Sequence, residues 1–132
     1  MTDLAYLSIV EASEMMAKRD LSPVELCQAL LDRIANLDPT YHAFIEQTPE
    51  LAMAAARAAE CEFVAGRVRS SMQGIPFGLK DIIDLAGVAT TCHSKIFAGH
   101  VVDTDADVTA RLKAAGAIPM GKLSTHEFAI GG

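Results

Sequence analysis

Twice within its first 25 residues this chain sets a serine three positions ahead of a glutamate, just before apolar residues at helical spacing, and that pattern says where helices must begin. In Ser8-Ile9-Val10-Glu11 and in Ser22-Pro23-Val24-Glu25 the hydroxyl can accept from the N–H three residues on, while the carboxylate reaches back to the serine N–H. The first box leads into Ala12, Met15 and Met16 on one side of a helix. The second adds proline at the first helical position, where its missing N–H costs nothing, and predicts a helix running to about Leu37, stopped by Asp38-Pro39. Thr48-Pro49-Glu50 opens a third helix through the alanines of 52–59 to a stop near Gly66. Those small side chains allow a neighbouring element to come close. With 51% hydrophobic residues but only five phenylalanines, two tyrosines and no tryptophan in 132 residues, the core should be tight and mostly helical.

After Gly66 the texture changes. Gly74-Ile75-Pro76-Phe77-Gly78-Leu79-Lys80-Asp81-Ile82-Ile83-Asp84 carries short apolar runs broken by glycine and proline, which reads as strand and loop. A further helix is expected from Asp103 or Thr104, using Val108, Leu112 and Ala115 and ending at Gly116 as its left-handed cap. Residues 117–120 then read as a short buried strand, and 124–129 as a turn or short helix. This order points to an α/β layer rather than a bundle. No internal repeat or low-complexity segment interrupts it.

Eleven Lys and Arg against seventeen Asp and Glu give a net charge of −6, so the basic footprint of a protein that grips phosphate backbones by itself is missing. Direct nucleic-acid binding is not expected. No run of eighteen apolar residues and no basic leader suggests a membrane span or signal peptide, and the expected compartment is the cytoplasm. Cys27, Cys61 and Cys92 are odd in number and far apart, which fits reduced thiols. Cys27 falls on a helical stripe with Val24, Leu31 and Ile34, as a buried, inert residue.

Several motifs invite a chemical reading. Gly116-Ala117-Ile118-Pro119-Met120-Gly121-Lys122 has the spacing of a phosphate-binding loop, but Leu123 stands where Ser or Thr should hold magnesium, and the run follows a helix rather than a strand. Cys92-His93 sets a thiol beside an imidazole, yet adjacent side chains usually point apart, so Cys92 reads as structural or pocket-lining. His126-Glu127 lacks a second histidine four residues on, where Ile130 stands, and His42 and His100 read as surface loop residues. Lys80 stands out. If 75–81 is extended, Ile75, Phe77 and Leu79 share one face and Pro76, Gly78 and Lys80 the other, with Gly78 leaving room in front of the amine. An ordinary lysine, with a pKa of about 10.4, is almost wholly protonated at pH 7, so a lysine base needs burial. Ile82 and Ile83 could form an apolar wall; Asp84, sharing the lysine's parity, would oppose one.

In order, Gly74-Ile75-Pro76-Phe77-Gly78-Leu79-Lys80-Asp81, Thr90-Thr91, Ser94, Ala114-Ala115-Gly116-Ala117, Gly121-Lys122 and Glu127-Phe128-Ala129 resemble the N-terminal part of an amidase signature family hydrolase. The resemblance is weak over the leading helices and strong from Gly74 to Gly131. It implies an α/β fold: N-terminal helices, then the first strands and helices of a mixed, helix-covered sheet, incomplete here. Residues 1–132 would be the N-terminal part of one such domain, with a helical lead over 1–66 and the start of the α/β core over 67–132. It also implies cleavage of a carboxamide or related C–N bond by a serine, a second serine on a cis peptide and a lysine, without metal or organic cofactor. Lys80 matches the lysine and would be the base; Ile130 and Gly131 match a stretch that approaches substrate.

Both family serines lie in a Gly/Ser-rich stretch beyond the Glu-Phe-Ala motif, and Ser70, Ser71, Ser94 and Ser124 are not in that setting. The expectation is a fragment of a longer enzyme, inactive alone. Its partners would be a small-molecule amide and, in assembly, a homo-oligomer or companion subunits. The alternative within the family is the first component of a tRNA-dependent glutamine amidotransferase, its A subunit, whose companions supply the nucleic-acid contacts. A different class, a non-catalytic helical interaction module, would leave Lys80 dispensable.

Overall fold

A computed structural model describes residues 3–131. Both serine–glutamate boxes form. Ser8 caps α1 (Ile9–Lys18) and Ser22 caps α2 (Pro23–Tyr41), each with its glutamate returning to the serine N–H. α2 does not stop at Asp38-Pro39 but carries Pro39 within its last turn, ending at His42 in the left-handed region with φ 51°. Asp38 acts one step later than expected. Its carboxylate accepts from the N–H groups of Ala43 (2.7 Å) and Phe44 (3.1 Å), steering the chain out of the helix.

That turn leads into a strand that the sequence pattern does not announce, β1 (Phe44–Gln47), ahead of α3 (Pro49–Val64). Thr48 makes no side-chain cap for α3; it is buried, and its hydroxyl lies 3.5 Å from the Pro119 carbonyl. β2 spans Pro76–Lys80, α4 Asp107–Ala114 and β3 Ile118–Leu123. α4 starts later than Asp103 or Thr104 because Asp105 is engaged elsewhere, accepting from the Ala86 N–H (2.8 Å) and pairing with Lys113 (2.6 Å). Val108, expected on the core face, is exposed, and Thr109 is buried in its place, its hydroxyl donating to the Asp84 carbonyl (2.8 Å). Gly116 has the left-handed φ of 90° expected of it.

The strands form one sheet in the order β1-β3-β2, with β1 antiparallel and β2 parallel to β3. β3 is central, and every residue from Ile118 to Lys122 is buried. The alanines of α3 do what their size suggests: Ala52 and Ala56 are fully buried, with Cys27, against Ile118 and Met120 of β3. A second cluster, Ala12, Met16, Leu21, Leu26, Phe63 and Ile75, closes the helices over the entry to β2.

The pairing of β3 is irregular in a way that matters for the site. Phe77 faces Pro119 and Leu79 faces Lys122, so β3 carries one additional residue between these pairs. Gly121 lies in that bulge with φ 146°, and a Cβ there would sit 2.3 Å from the Glu46 carbonyl oxygen. Regular alternation would send Lys122 to the face that carries Ile118 and Met120, against the helices. The bulge re-aims it toward the loop that follows β2.

Cys27 is wholly buried, and burial pushes its thiol up to about 11. It should therefore resist iodoacetamide at pH 7.5 in the folded protein and react once urea unfolds it, as peptide mapping of the alkylated cysteine would report.

Candidate active site

Because β2 and β3 are parallel, their C-terminal residues Lys80 and Leu123 lie side by side, and the segments 81–94 and 124–131 both leave from that edge. The carboxyl edge of such a sheet is where ligands usually bind in α/β folds. Lys80 is exposed there, and among the described residues its amine has no hydrogen bond or ion pair. The chain then turns at once: the N–H groups of Ile82 and Ile83 both donate to the Lys80 carbonyl, at 2.7 and 2.9 Å. Strand parity consequently ends before Asp84, whose carbonyl is turned to α4, so the expected opposition from Asp84 does not follow from register. Nor do the isoleucines enclose the amine, since Ile82 is exposed and Ile83 only half-buried. The close approach at Gly78 is made by the Leu123 side chain, 3.0 Å from where a Cβ would stand, rather than being open space.

Beside Lys80 is a polar cluster of Asp81, Thr90, Thr91 and Lys122, which the sequence pattern does not single out as a site. Lys122 and Asp81 are both fully buried and paired, Nζ to Oδ1 at 3.0 Å. The ammonium also donates to Thr90 Oγ1 (2.8 Å) and to the Ala89 carbonyl (3.2 Å), so its three donors meet three acceptors. Asp81 in turn accepts from the Thr91 hydroxyl, the Thr91 N–H (3.2 Å) and the His93 N–H (3.4 Å). The phosphate-loop spacing that ends at Lys122 is thus the cap of α4 followed by a strand, and its lysine amine is spent on a carboxylate. Burial by itself would raise the Asp81 carboxyl, but hydrogen bonds from Thr91 and Lys122, with the ammonium's charge, hold it below its ordinary value. Stability from this depressed carboxyl is fully present above its unfolded pKa of about 3.9 and is lost as pH falls through the lower native value. The urea midpoint of the wild type should therefore fall more steeply below pH 4 than that of Asp81→Asn, which lacks the titrating group.

The same loop is clasped to the segment 124–131. Ser94, buried, donates to Glu127 Oε1 at 2.6 Å, and the Phe128 N–H donates to the Cys92 carbonyl at 2.9 Å. Phe97 meets the Phe128 ring edge-on, with centroids 5.9 Å apart. On either side of this clasp two non-glycine residues have positive φ, Cys92 and His93 at 52° and 54°, Phe128 and Ala129 at 53° and 57°. Such conformations persist only where the surroundings hold them. Cys92 is partly buried, and His93 Nδ1 lies 3.4 Å from the Thr125 N–H, so the imidazole is turned to that segment. His42 and His100 are exposed, as expected of loop residues. Of the two matched substrate-stretch residues, Ile130 is 81% exposed and Gly131 lies against the His126 ring. They connect to Lys80 through the clasp, Cys92 and Asp81. Among the described residues no three His, Cys, Asp or Glu side chains gather as metal ligands, and no helix is long and apolar enough to cross a membrane.

The amidase family model matches residues 25–132. The chain belongs to the amidase family. The A subunit of glutamyl-tRNA(Gln) amidotransferase from Roseiflexus castenholzii is 45% identical over 131 residues, which is 99% of this chain and 26% of that protein. The protein of the same name from Geobacter metallireducens is 43% identical over 129 residues, again 26% of its length. The peptide amidase from Stenotrophomonas maltophilia superposes with a TM-score of 0.88 at 36% identity, covering 94% of this chain and 26% of that one. The mixed α/β architecture expected from the sequence is therefore that of solved amidase structures. The chain spans about a quarter of the length of the curated relatives it matches.

Proposed function

We propose that this chain is the N-terminal part of an amidase domain that hydrolyses a carboxamide or related C–N bond, with Lys80 as its proton carrier and the serine hydroxyls supplied by the rest of the polypeptide. One observation carries this reading: at the carboxyl edge of the sheet Lys80 presents an amine that has no partner among the described residues, while the carboxylate next to it in sequence, Asp81, is fully taken up by Lys122, Thr91 and His93. A lysine held by its own aspartate would be locked as an ammonium. Here the aspartate is occupied elsewhere.

In this mechanism the neutral amine takes a proton, through the bridging serine, from the hydroxyl that attacks the carbonyl. It returns that proton to the departing nitrogen as the C–N bond breaks, leaving an acyl-serine that water then releases. The water-excluding cover over Lys80 comes from outside residues 3–131, whose own side chains leave it exposed. The reaction calls for no metal, and the compartment is the cytoplasm. The test is ammonia release by the complete protein from a peptide C-terminal amide or from glutamine, with 1–132 alone giving none. Absence of release from any carboxamide would overturn the reading.

The names of the relatives favour a second form of the same chemistry, in which the protein is one component of an amidotransferase and works with companion subunits. In that case glutamine hydrolysis by the isolated protein should be weak and should rise when its companions are co-expressed and co-purified. Full turnover by the isolated protein on an amidated peptide would favour a freestanding amidase.

A further inference from the structure

We propose that Asp81 and Lys122 are positioning residues for Lys80, a buried pair whose work is to hold the last residue of β2 and the loop 89–93 in one fixed relation at the carboxyl edge of the sheet. This rests on the reading of Lys80 as the proton carrier. The pair is net neutral and reaches in three directions: along β3 through Lys122, across to the loop through Ala89, Thr90, Thr91 and His93, and back to Lys80 through the peptide bond. The main chain of Asp81 is fixed as well, its N–H donating to the Leu123 carbonyl (3.0 Å) and its carbonyl accepting from the Cys92 N–H (2.9 Å). Lys80 thus has on one side the ladder to Leu123 and on the other a residue anchored through both main chain and side chain.

Stability does not explain why an ion pair stands here. Buried pairs replaced whole by apolar groups of similar size are often neutral or more stable, so their use is better sought in geometry. The sequence also bends its own rules to make this pair. β3 takes an additional residue and a glycine at φ 146° so that Lys122 leaves the helix-facing side and meets Asp81. A proton carrier misplaced by about 1 Å can cost about 100-fold in rate.

The test uses the complete protein with the double variant Asp81→Asn/Lys122→Met, which removes both charges together, assayed on a p-nitroanilide and a p-nitrophenyl ester. Rates are taken per active serine, counted from the endpoint of fluorophosphonate labelling. The expected result is a kcat lower by about 100-fold with KM within about twofold. Placed in a Lys80→Ala background, the double variant should cause no further loss, because its effect runs through Lys80. Losses that multiply, or wild-type turnover in the double variant, would overturn the inference while leaving the role of Lys80 intact. Full turnover by Lys80→Ala alone would instead remove the reading on which it rests. Should the double variant fail to fold, Thr91→Val withdraws one donor from Asp81 and keeps the ion pair; a loss of about tenfold that vanishes in the Lys80→Ala background supports the inference, and an unchanged kcat overturns it.

Discussion

Lys80→Ala in the complete protein should lower carboxamide turnover by about 10³-fold, within the range general acid–base catalysis contributes, while its melting temperature stays within a degree or two of wild type. The two halves of this expectation have separate physical grounds. In the proposed mechanism, removing the amine takes away the group that accepts the attacking hydroxyl's proton and returns it to the leaving nitrogen. The fold is spared because β2 is held by main-chain pairing to β3, and the Lys80 side chain makes no hydrogen bond or ion pair among the described residues. Shortening a side chain that holds no other part of residues 3–131 in place leaves that pairing intact. Lys80→Arg should not restore activity, since a guanidinium does not give up its proton. Cys92→Ala, by contrast, should keep most of the activity: Cys92 contributes its main-chain N–H to Asp81 and its carbonyl to Phe128, both retained by alanine. A lysine variant with wild-type turnover, or loss of activity in Cys92→Ala with unchanged folding, would move the chemistry from the amine to the thiol.

What the sequence reveals of the fold depends on whether the signal is local. Ser8 and Ser22 announce their helices because a capping box is complete within four residues, and the alanines of α3 announce a close neighbour because nothing else there has bulk. The run through Asp38-Pro39 misleads because the proline removes a single i→i−4 hydrogen bond, a loss that α2 absorbs as it continues to Tyr41. β1 escapes notice for the opposite reason. Four residues with three exposed side chains carry too little alternation, and they become a strand because the edge of β3 is there to pair with.

The site divides in the same manner. Lys80 is legible because its motif is contiguous and because a lysine after alternating apolar residues must sit at the end of a strand. Its neighbours are not legible as a cluster, since Asp81, Thr90, Thr91 and Lys122 come together only through the parallel pairing of β2 with β3 and the bulge at Gly121. A signal exists in retrospect: Lys122 closes the apolar run of a central strand, and a lysine buried there must find a carboxylate. Rejecting a phosphate loop at Gly116–Lys122 leaves open where that amine goes, and only the fold supplies Asp81 as the answer. The apolar wall expected from Ile82 and Ile83 does not form because the turn after Lys80 takes both out of the strand.

Lys122→Met alone should destabilise the protein by about 3–5 kcal/mol, the usual consequence of removing one partner from a buried ion pair. The methionine fills nearly the same volume, so the loss is electrostatic rather than a cavity. Asp81 would keep its bonds from Thr91 and His93 but remain a carboxylate with no exposed surface and no counter-charge, and the Ala89 carbonyl and Thr90 hydroxyl would lose their shared donor. An isolated buried carboxylate relieves itself by taking up a proton, which raises its pKa. The variant's deficit in urea midpoint should therefore be larger at pH 8 than at pH 5. The double variant Asp81→Asn/Lys122→Met should recover most of the loss, because no charge is then left buried. Equal destabilisation in the single and double variants, with no dependence on pH, would mean that Lys122 acts through its packing and that the ion pair is incidental.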